Sequence, residues 1–251
     1  MCVHAYLDSD GPLAIAHRGG AREATENSRE AFEYATLLGY RYLETDAQLT
    51  SDGVVVAFHD PDLDRVSDET GPISERTWEG LQDVRLTNGG SFVTIEDLLT
   101  DFPDVKFNID AKSDVVTNPL LDVIERQDAF DRVCFGSFSE ERLRKIRARG
   151  GERVCTSVGM RGVARFVIAS CGIPIEPPQA NALQLPPTFR GVPLITARLI
   201  DYAHSRGVQV HAWTIDEEVE MNRLLDLGVD GIMTDRPTLL KQVFEARGVA
   251  L

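Results

Sequence analysis

The chain has little that would take it into a membrane or onto a nucleic acid. Its most apolar uncharged stretch, residues 166–175, is interrupted by Ser170 and Gly172, and the uncharged stretch Pro177 to Phe189 is broken by four prolines. Neither reaches the roughly 20 apolar residues that a spanning helix needs, so no transmembrane segment is expected. The opening MCVHAYLDSDG has no basic region followed by an apolar core, so no secretory signal is expected either. Positive charge is scarce: 26 Lys and Arg stand against 40 Asp and Glu, a net charge of −14. That balance argues against a nucleic-acid or anionic-membrane partner, because phosphate backbones are held by Lys/Arg patches. A phosphate-bearing substrate would have to be met locally, by a few cations or a metal. Cysteine is sparse as well. Cys2, Cys134, Cys155 and Cys171 form no C-x-x-C pair, so neither a zinc site nor a disulfide framework is expected, and free thiols fit a reducing cytoplasm. No tract of Pro, Gly or Ser is long enough to link domains.

What is present is the balance of an ordinary globular protein, 43% hydrophobic and 26% charged over 251 residues. Short β-like runs alternate with amphipathic helices. The expected strands are Leu13–Ala16, Tyr40–Ala47, Val105–Asp110, Arg132–Gly136, Val154–Ser157, Ala182–Leu185, Val208–Trp213 and Gly228–Met233. Most are rich in Val, Ile and Leu, as parallel strands covered by helices are. The helices between them carry end signals: Asn27, Ser139, Thr196 and Asp216 as N-caps, Gly39, Gly150, Gly207 and Gly228 as stops, and Pro237 at a first helical position. Weaker helical patterns cover residues 94–100, 118–129 and 160–171. Eight βα units with right-handed crossovers predict a TIM (β/α)8 barrel. A doubly wound open sheet is the alternative. Val54–Phe58 adds a further strand after the second, and the polar, turn-rich stretch of about 60–92 reads as a small insertion on the barrel rim. The whole chain, 1–251, is expected to be one domain.

In such a barrel the chemistry sits at the C-terminal ends of the strands. Strand one ends in His17-Arg18-Gly19-Gly20, either a solvated turn or a proton-transfer group beside a phosphate clamp. In strand two, Glu44 and Asp46 are two apart and share a face. Two carboxylates there are costly to desolvate unless a cation pairs with them, and a hard ion such as Mg²⁺ or Ca²⁺ would do so. His59-Asp60 ends the next apolar run, where Asp60 could orient an imidazole or simply open an Asp-Pro turn. Asp110 and Lys112 end strand three on one face, as an ion pair or as a metal ligand beside a phosphate-binding ammonium. Trp213 stands at the rim of strand seven, as packing or as substrate contact. Asp235, near Pro237, reads as a helix-entry residue. Taken together, the two imidazoles, three carboxylates, Arg18 and Lys112 suit metal-assisted cleavage of a phosphodiester.

These residues, with the blocks AHRGG, TENSREAF, LETDAQLTSDGVVVAFHD, FNIDAKS, GSFS, HAWTID and GVDGIMTDRP in order along nearly the whole chain, resemble the glycerophosphodiester phosphodiesterase family. The resemblance implies a TIM barrel with an insertion after the second strand, and cleavage of a glycerophosphodiester to glycerol 3-phosphate and an alcohol with a divalent metal ion, Ca²⁺ or Mg²⁺. It implies Glu44, Asp46 and Asp110 as metal ligands converging on one ion. It implies His17 and His59 as catalytic acid and base, Arg18 and Lys112 on the phosphate, and Trp213 in the substrate site. It also implies attack by the glycerol 2-hydroxyl and a cyclic phosphate. Two positions depart from the family's pattern: Thr25-Glu26-Asn27-Ser28 stands where Pro-Glu-Asn-Thr is usual, and Asp110 where many bacterial members have Glu. Asp at the latter position is shared with phospholipase D toxins of the same barrel type, which raises lysophospholipids as alternative substrates. That activity would need an apolar groove at the mouth, for which Val66, Ile73, Trp78 and Leu81 of the insertion are candidates. A non-catalytic barrel that binds glycerophosphodiesters is the remaining alternative. Two further expectations follow from position: Arg18 lowers the pKa of the adjacent His17 and so favours it as the base, and Arg18 and Lys112 serve the substrate far more than the fold.

Overall fold

The computed structural model describes residues 4–251; Cys2 lies outside them. In chain order the elements are β1 (Leu13–Ala16), α1 (Arg29–Leu37), β2 (Tyr42–Leu49), β3 (Val55–Ala57), α2 (Trp78–Leu81), α3 (Ile95–Asp101), β4 (Lys106–Ala111), α4 (Thr117–Arg126), β5 (Val133–Gly136), α5 (Glu140–Gly150), β6 (Cys155–Thr156), α6 (Met160–Ser170), β7 (Ala182–Leu185), β8 (Thr188–Phe189), β9 (Val192–Pro193), α7 (Ala197–His204), β10 (Gln209–Ala212), α8 (Glu218–Leu227), β11 (Gly231–Thr234) and α9 (Pro237–Ala246). Eight strands run parallel in the order β6-β5-β4-β2-β1-β11-β10-β7. The remaining seam, between β6 and β7, is bridged by Asn181. Its backbone N–H donates to Thr156 O at 2.9 Å, and its side-chain Oδ1 accepts from Thr156 N at 3.0 Å. The sheet is thus a TIM barrel rather than the open alternative.

Every expected strand is found, two with unchanged ends and the others with ends moved by no more than three residues. β2 starts two residues late and runs on to Leu49, because β3 folds back antiparallel and pairs with residues 47–49. Ser139 and Thr196 cap their helices as expected, and Ser28 rather than Asn27 caps α1 by accepting from Ala31 N. Asp216 does not cap α8, whose N-cap is Glu217 with no side-chain bond; its carboxylate accepts from Thr234 and from the backbone of Asp235 instead. In both cases tertiary partners outcompeted the local cap.

The barrel has one core inside and one outside. Leu13, Ile15, Tyr42, Cys134, Cys155 and Met233 fill the interior with Tyr6 and Leu7. The turn Ala5–Leu7 is held against the N-terminal strand ends by Lys106, whose ammonium donates to Ala5 O at 2.6 Å and Tyr6 O at 3.1 Å, and by Tyr42 Oη, which donates to Tyr6 O at 2.9 Å. Among the described residues, this turn therefore covers one end of the barrel. Cys134 and Cys155 are buried and unbridged, and Cys171 is exposed and unbridged. Between β3 and α3, residues 58–92 build a separate hydrophobic cluster around Phe58, Leu63, Ile73, Leu81 and Phe92, onto which Val66 and Trp78 pack. No helix among the described residues is long and apolar enough to cross a membrane.

Candidate active site

The C-terminal strand ends surround a cavity of about 610 Å³. His17, Arg18, Glu44, Asp46, His59, Asp110, Lys112 and Trp213 all line it, so the fold brings together every residue singled out in the sequence for chemistry. Parallel pairing of β2 with β4 sets Glu44 opposite Asn108 and Asp46 opposite Asp110, which puts the acidic residues of two strands side by side. The turn after β1 carries Arg18 in a left-handed conformation, φ 52°, between His17 and two glycines of positive φ. That turn aims the Arg18 guanidinium back over β2.

Each imidazole is held by a carboxylate through Nδ1. His17 Nδ1 lies 2.6 Å from Asp235 Oδ1, and His59 Nδ1 lies 2.5 Å from Asp60 Oδ1. Such a bond fixes ring orientation and tautomer and leaves Nε2 for chemistry. His17 Nε2 is 3.7 Å from Glu44 Oε2, inside the cavity. Asp60 is itself gripped by Arg65, 2.5 Å away, and Arg65 makes a two-pronged contact with Glu26. Asp235 is therefore the orienting partner of His17 and not a helix-entry residue; the N-cap of α9 is Arg236. Nothing in the sequence near Asp235 points to a histidine 218 residues away.

The cations and anions of the floor are interlocked. Lys112 Nζ is 2.6 Å from Asp46 Oδ1 and 2.7 Å from Asp110 Oδ2. Arg18 donates to Glu26 at 2.8 Å, its Nε lies 3.2 Å from Asp46 Oδ2, and its backbone N–H donates to Glu44 at 3.1 Å. Asn27 donates to Asp46 Oδ2 at 2.8 Å and accepts from Thr45. Asn27 and Glu26, the two constant residues of the departing loop motif, thus serve the floor directly. Arg18 and Lys112 also belong to the fold. Each pairs with buried carboxylates, and breaking a buried ion pair typically costs about 3–5 kcal/mol, so the packing weighs against the expectation that they serve the substrate far more than the fold.

The electrostatics follow from this packing. Burial lowers the His17 pKa, but the Glu44 charge and the Asp235 hydrogen bond outweigh both burial and Arg18, so it stands above the ordinary histidine value. The expectation of a lowered pKa is overturned: one adjacent cation is weaker here than two nearby carboxylates. Glu44 is pushed up to about 7 by burial and then by the Asp46 charge. Asp46 is held below the usual carboxylate range: burial opposes this, and Lys112 and Arg18 prevail.

The floor suits a divalent cation by its donor set. Glu44, Asp46 and Asp110 bring carboxylate oxygens to one cavity, and Asp110 Oδ1 is buried with no hydrogen-bond partner. No three His, Cys, Asp or Glu side chains among the described residues are grouped to enclose an ion as they stand. Lys112 lies between Asp46 and Asp110, and Glu44 is turned toward His17.

One wall of the cavity is apolar. It is built by Phe138, Trp213, the Met160, Val163, Val167 and Ile168 face of α6, and Phe189 of the β8–β9 hairpin. The Phe138 and Trp213 rings meet edge to face with centroids 5.8 Å apart. The apolar residues of the insertion, by contrast, pack on one another and leave this wall to the α6 side.

The model of the glycerophosphoryl diester phosphodiesterase family matches residues 17–239, from the first cavity histidine into α9. A probable glycerophosphodiester phosphodiesterase 2 of Mycobacterium tuberculosis is 40% identical over 97% of this chain and 94% of its own length. The human lysophospholipase D GDPD1 is 27% identical over 90% of this chain and 84% of its own. In fold, the chain is similar to an Oleispira antarctica phosphodiesterase solved with the product sn-glycerol-3-phosphate. The TM-score is 0.78 at 20% identity, over 93% of this chain and 97% of that one.

Proposed function

The chain belongs to the glycerophosphoryl diester phosphodiesterase family, and on that premise we propose that its cavity cleaves a glycerophosphodiester into glycerol 3-phosphate and an alcohol, using the whole chain as one catalytic domain. The observation that carries the reading is the pair of carboxylate-oriented imidazoles, His17 and His59, opening on one cavity with Arg18 and Lys112. A barrel that only binds its ligand has no use for two imidazoles with fixed tautomers and free Nε2 atoms.

Arg18 and Lys112 bind the phosphoryl oxygens and orient phosphorus. Glu44, Asp46 and Asp110 would hold a divalent cation, which supplies positive charge against the phosphoryl oxygens when bound. His17, held through Nδ1 by Asp235, is assigned as the proton donor and His59, held through Nδ1 by Asp60, as the acceptor. His59 Nε2 takes the proton of the glycerol 2-hydroxyl. That oxygen attacks phosphorus, the bond to the leaving alkoxide breaks, and His17 protonates the alkoxide. In the second step the roles reverse. His17 takes a proton from water, the hydroxide opens the cyclic phosphate, and His59 returns a proton to the 2-oxygen. An internal nucleophile lowers the barrier through its high effective molarity.

The test is release of glycerol 3-phosphate from glycerophosphocholine, beside a 2-deoxyglycerol analogue, with and without EDTA. Expected are turnover of the first, a rate lower by orders of magnitude for the second, and loss with EDTA that added metal restores. Equal rates for the two diesters would eliminate the internal nucleophile.

A second substrate class is favoured by the apolar wall. Met160, Val163, Val167 and Ile168 extend the phosphate site with a surface suited to an acyl chain, and the human relative above is named as a lysophospholipase D. We include lysophospholipids among the substrates on this ground, and the same assay with a lysophosphatidylcholine decides it.

A further inference from the structure

The segment that walls the cavity differs in charge from the rest of the chain. Residues 157–200 carry Arg161, Arg165, Arg190 and Arg198 against a single acidic residue, Glu176, in a protein of net charge −14. Glu176 is occupied by Arg206, whereas none of the four arginines takes part in an ion pair or side-chain hydrogen bond among the described residues. Large apolar side chains are exposed in the same segment: Met160 at 47%, Ile173 at 54%, Phe189 at 49% and Val192 at 61%. Solvated arginines interleaved with exposed apolar side chains suit an interface between water and hydrocarbon, where the apolar parts insert and the guanidiniums reach the headgroups.

The geometry is directed. Along α6, Met160, Ala164 and Ile168 line the cavity at four-residue spacing, and Arg161 and Arg165 form the neighbouring stripe. The β8–β9 hairpin pairs Phe189 with Val192, and Arg190 sits at its tip with its guanidinium 5.4 Å from the Phe189 ring centre. The basic and apolar rim is thus continuous with the cavity wall.

We propose that the rim formed by α6 and the β8–β9 hairpin docks the enzyme on the surface of a lipid aggregate bearing anionic headgroups, so that the cavity opens toward the lipid. The net charge of the chain does not forbid this. Distant carboxylates are screened beyond about 8 Å at physiological salt, so the local patch governs contact. Docking of this kind runs against the expectation from net charge, which argues against an anionic-membrane partner. The inference rests on the proposed function only for the meaning of the cavity; the docking is measured independently.

The experiment is co-sedimentation of the full chain with vesicles of phosphatidylcholine alone and of phosphatidylcholine mixed with phosphatidylglycerol, at low and high salt. The variant combines Arg161→Gln, Arg165→Gln, Arg190→Gln and Val192→Ser, positions outside the cavity. The wild-type chain is expected on the mixed vesicles, weakened by salt, and the variant is expected to partition on the order of 100-fold more weakly. Turnover of soluble glycerophosphocholine should be the same for both, which separates loss of docking from loss of the active site. Equal partition of the variant, absence of the wild-type chain from mixed vesicles, or self-association through this rim in place of vesicle binding would each overturn the proposal.

Discussion

His17 is governed by two carboxylates that come from opposite ends of the chain. Asp235 holds its Nδ1 at 2.6 Å and Glu44 faces its Nε2. Both favour the imidazolium form, which keeps the pKa above the ordinary value. As a proton donor, His17 is competent below its pKa, and the donor form is lost as pH rises through it. Removing Asp235 withdraws one source of the upward shift. Asp235→Asn should therefore move the alkaline limb of the kcat profile to lower pH, and should lower kcat about 10–100-fold, as loss of an orienting partner typically does. An unchanged alkaline limb would show that the limb belongs to another group. His211 follows the opposite logic: it lies deep in the barrel, and burial pushes its pKa down to about 4. It stays neutral and hydrogen-bonds to Gln184 and Gln209, a structural histidine inside β10 rather than at the end of an apolar run as His17 and His59 are.

The turn from β1 toward α1 is the element on which the phosphate clamp depends. Gly19 has φ 79°, and a Cβ there would lie 2.7 Å from the Ala31 Cβ and 2.9 Å from its backbone carbon. The turn must pass this close to α1 for Arg18 to reach Asp46 and Glu26. Gly19→Ala should therefore destabilise the protein by at least about 1–3 kcal/mol through backbone strain, with clash added, and should raise KM by displacing Arg18. Gly53 also has positive φ, 84°, but faces open space, so Gly53→Ala isolates the conformational contribution of about 1–2 kcal/mol. Denaturant titration of the two variants beside steady-state kinetics separates the effects. If Gly19→Ala is no worse than Gly53→Ala in stability and KM, close packing of the turn is not what sets Arg18.

Closure of the barrel depends on one short seam. β6 has only two residues, and Asn181 supplies both bonds that join it to the β7 side. Asn181→Ala keeps the backbone bond and leaves the Thr156 N–H without an acceptor, about 1–3 kcal/mol for a buried donor. In a domain of this size that corresponds to a melting temperature lower by about 2–12 °C, read by calorimetry. A wild-type melting temperature for the variant would mean that helix packing alone closes the barrel. The same seam flanks α6, so the wall of the cavity stands beside the one gap in the strand ladder among the described residues.

The alternation of short Val/Ile/Leu runs with capped helices was enough to read eight βα units and to favour a barrel over an open sheet, and with it the end where chemistry belongs. Period-two spacing placed Glu44 with Asp46 and Asp110 with Lys112, and the apolar runs ending in polar residues located His17 and His59. These are local properties, set by backbone geometry within a few residues. What could not be read locally was pairing. Asp235 to His17, Arg65 to Glu26 and Asp60, Asn27 to Asp46, and Lys112 between two aspartates are contacts between strand ends that only barrel closure brings together. Those contacts set the sign of the His17 shift and bind Arg18 and Lys112 into the fold. The apolar wall belongs to the same class: the insertion and α6 both offer apolar residues, and only tertiary packing decided that the first would bury them and the second would turn them to the cavity. The reason is physical. Secondary structure answers to neighbours along the chain, whereas charge compensation and burial answer to neighbours in space.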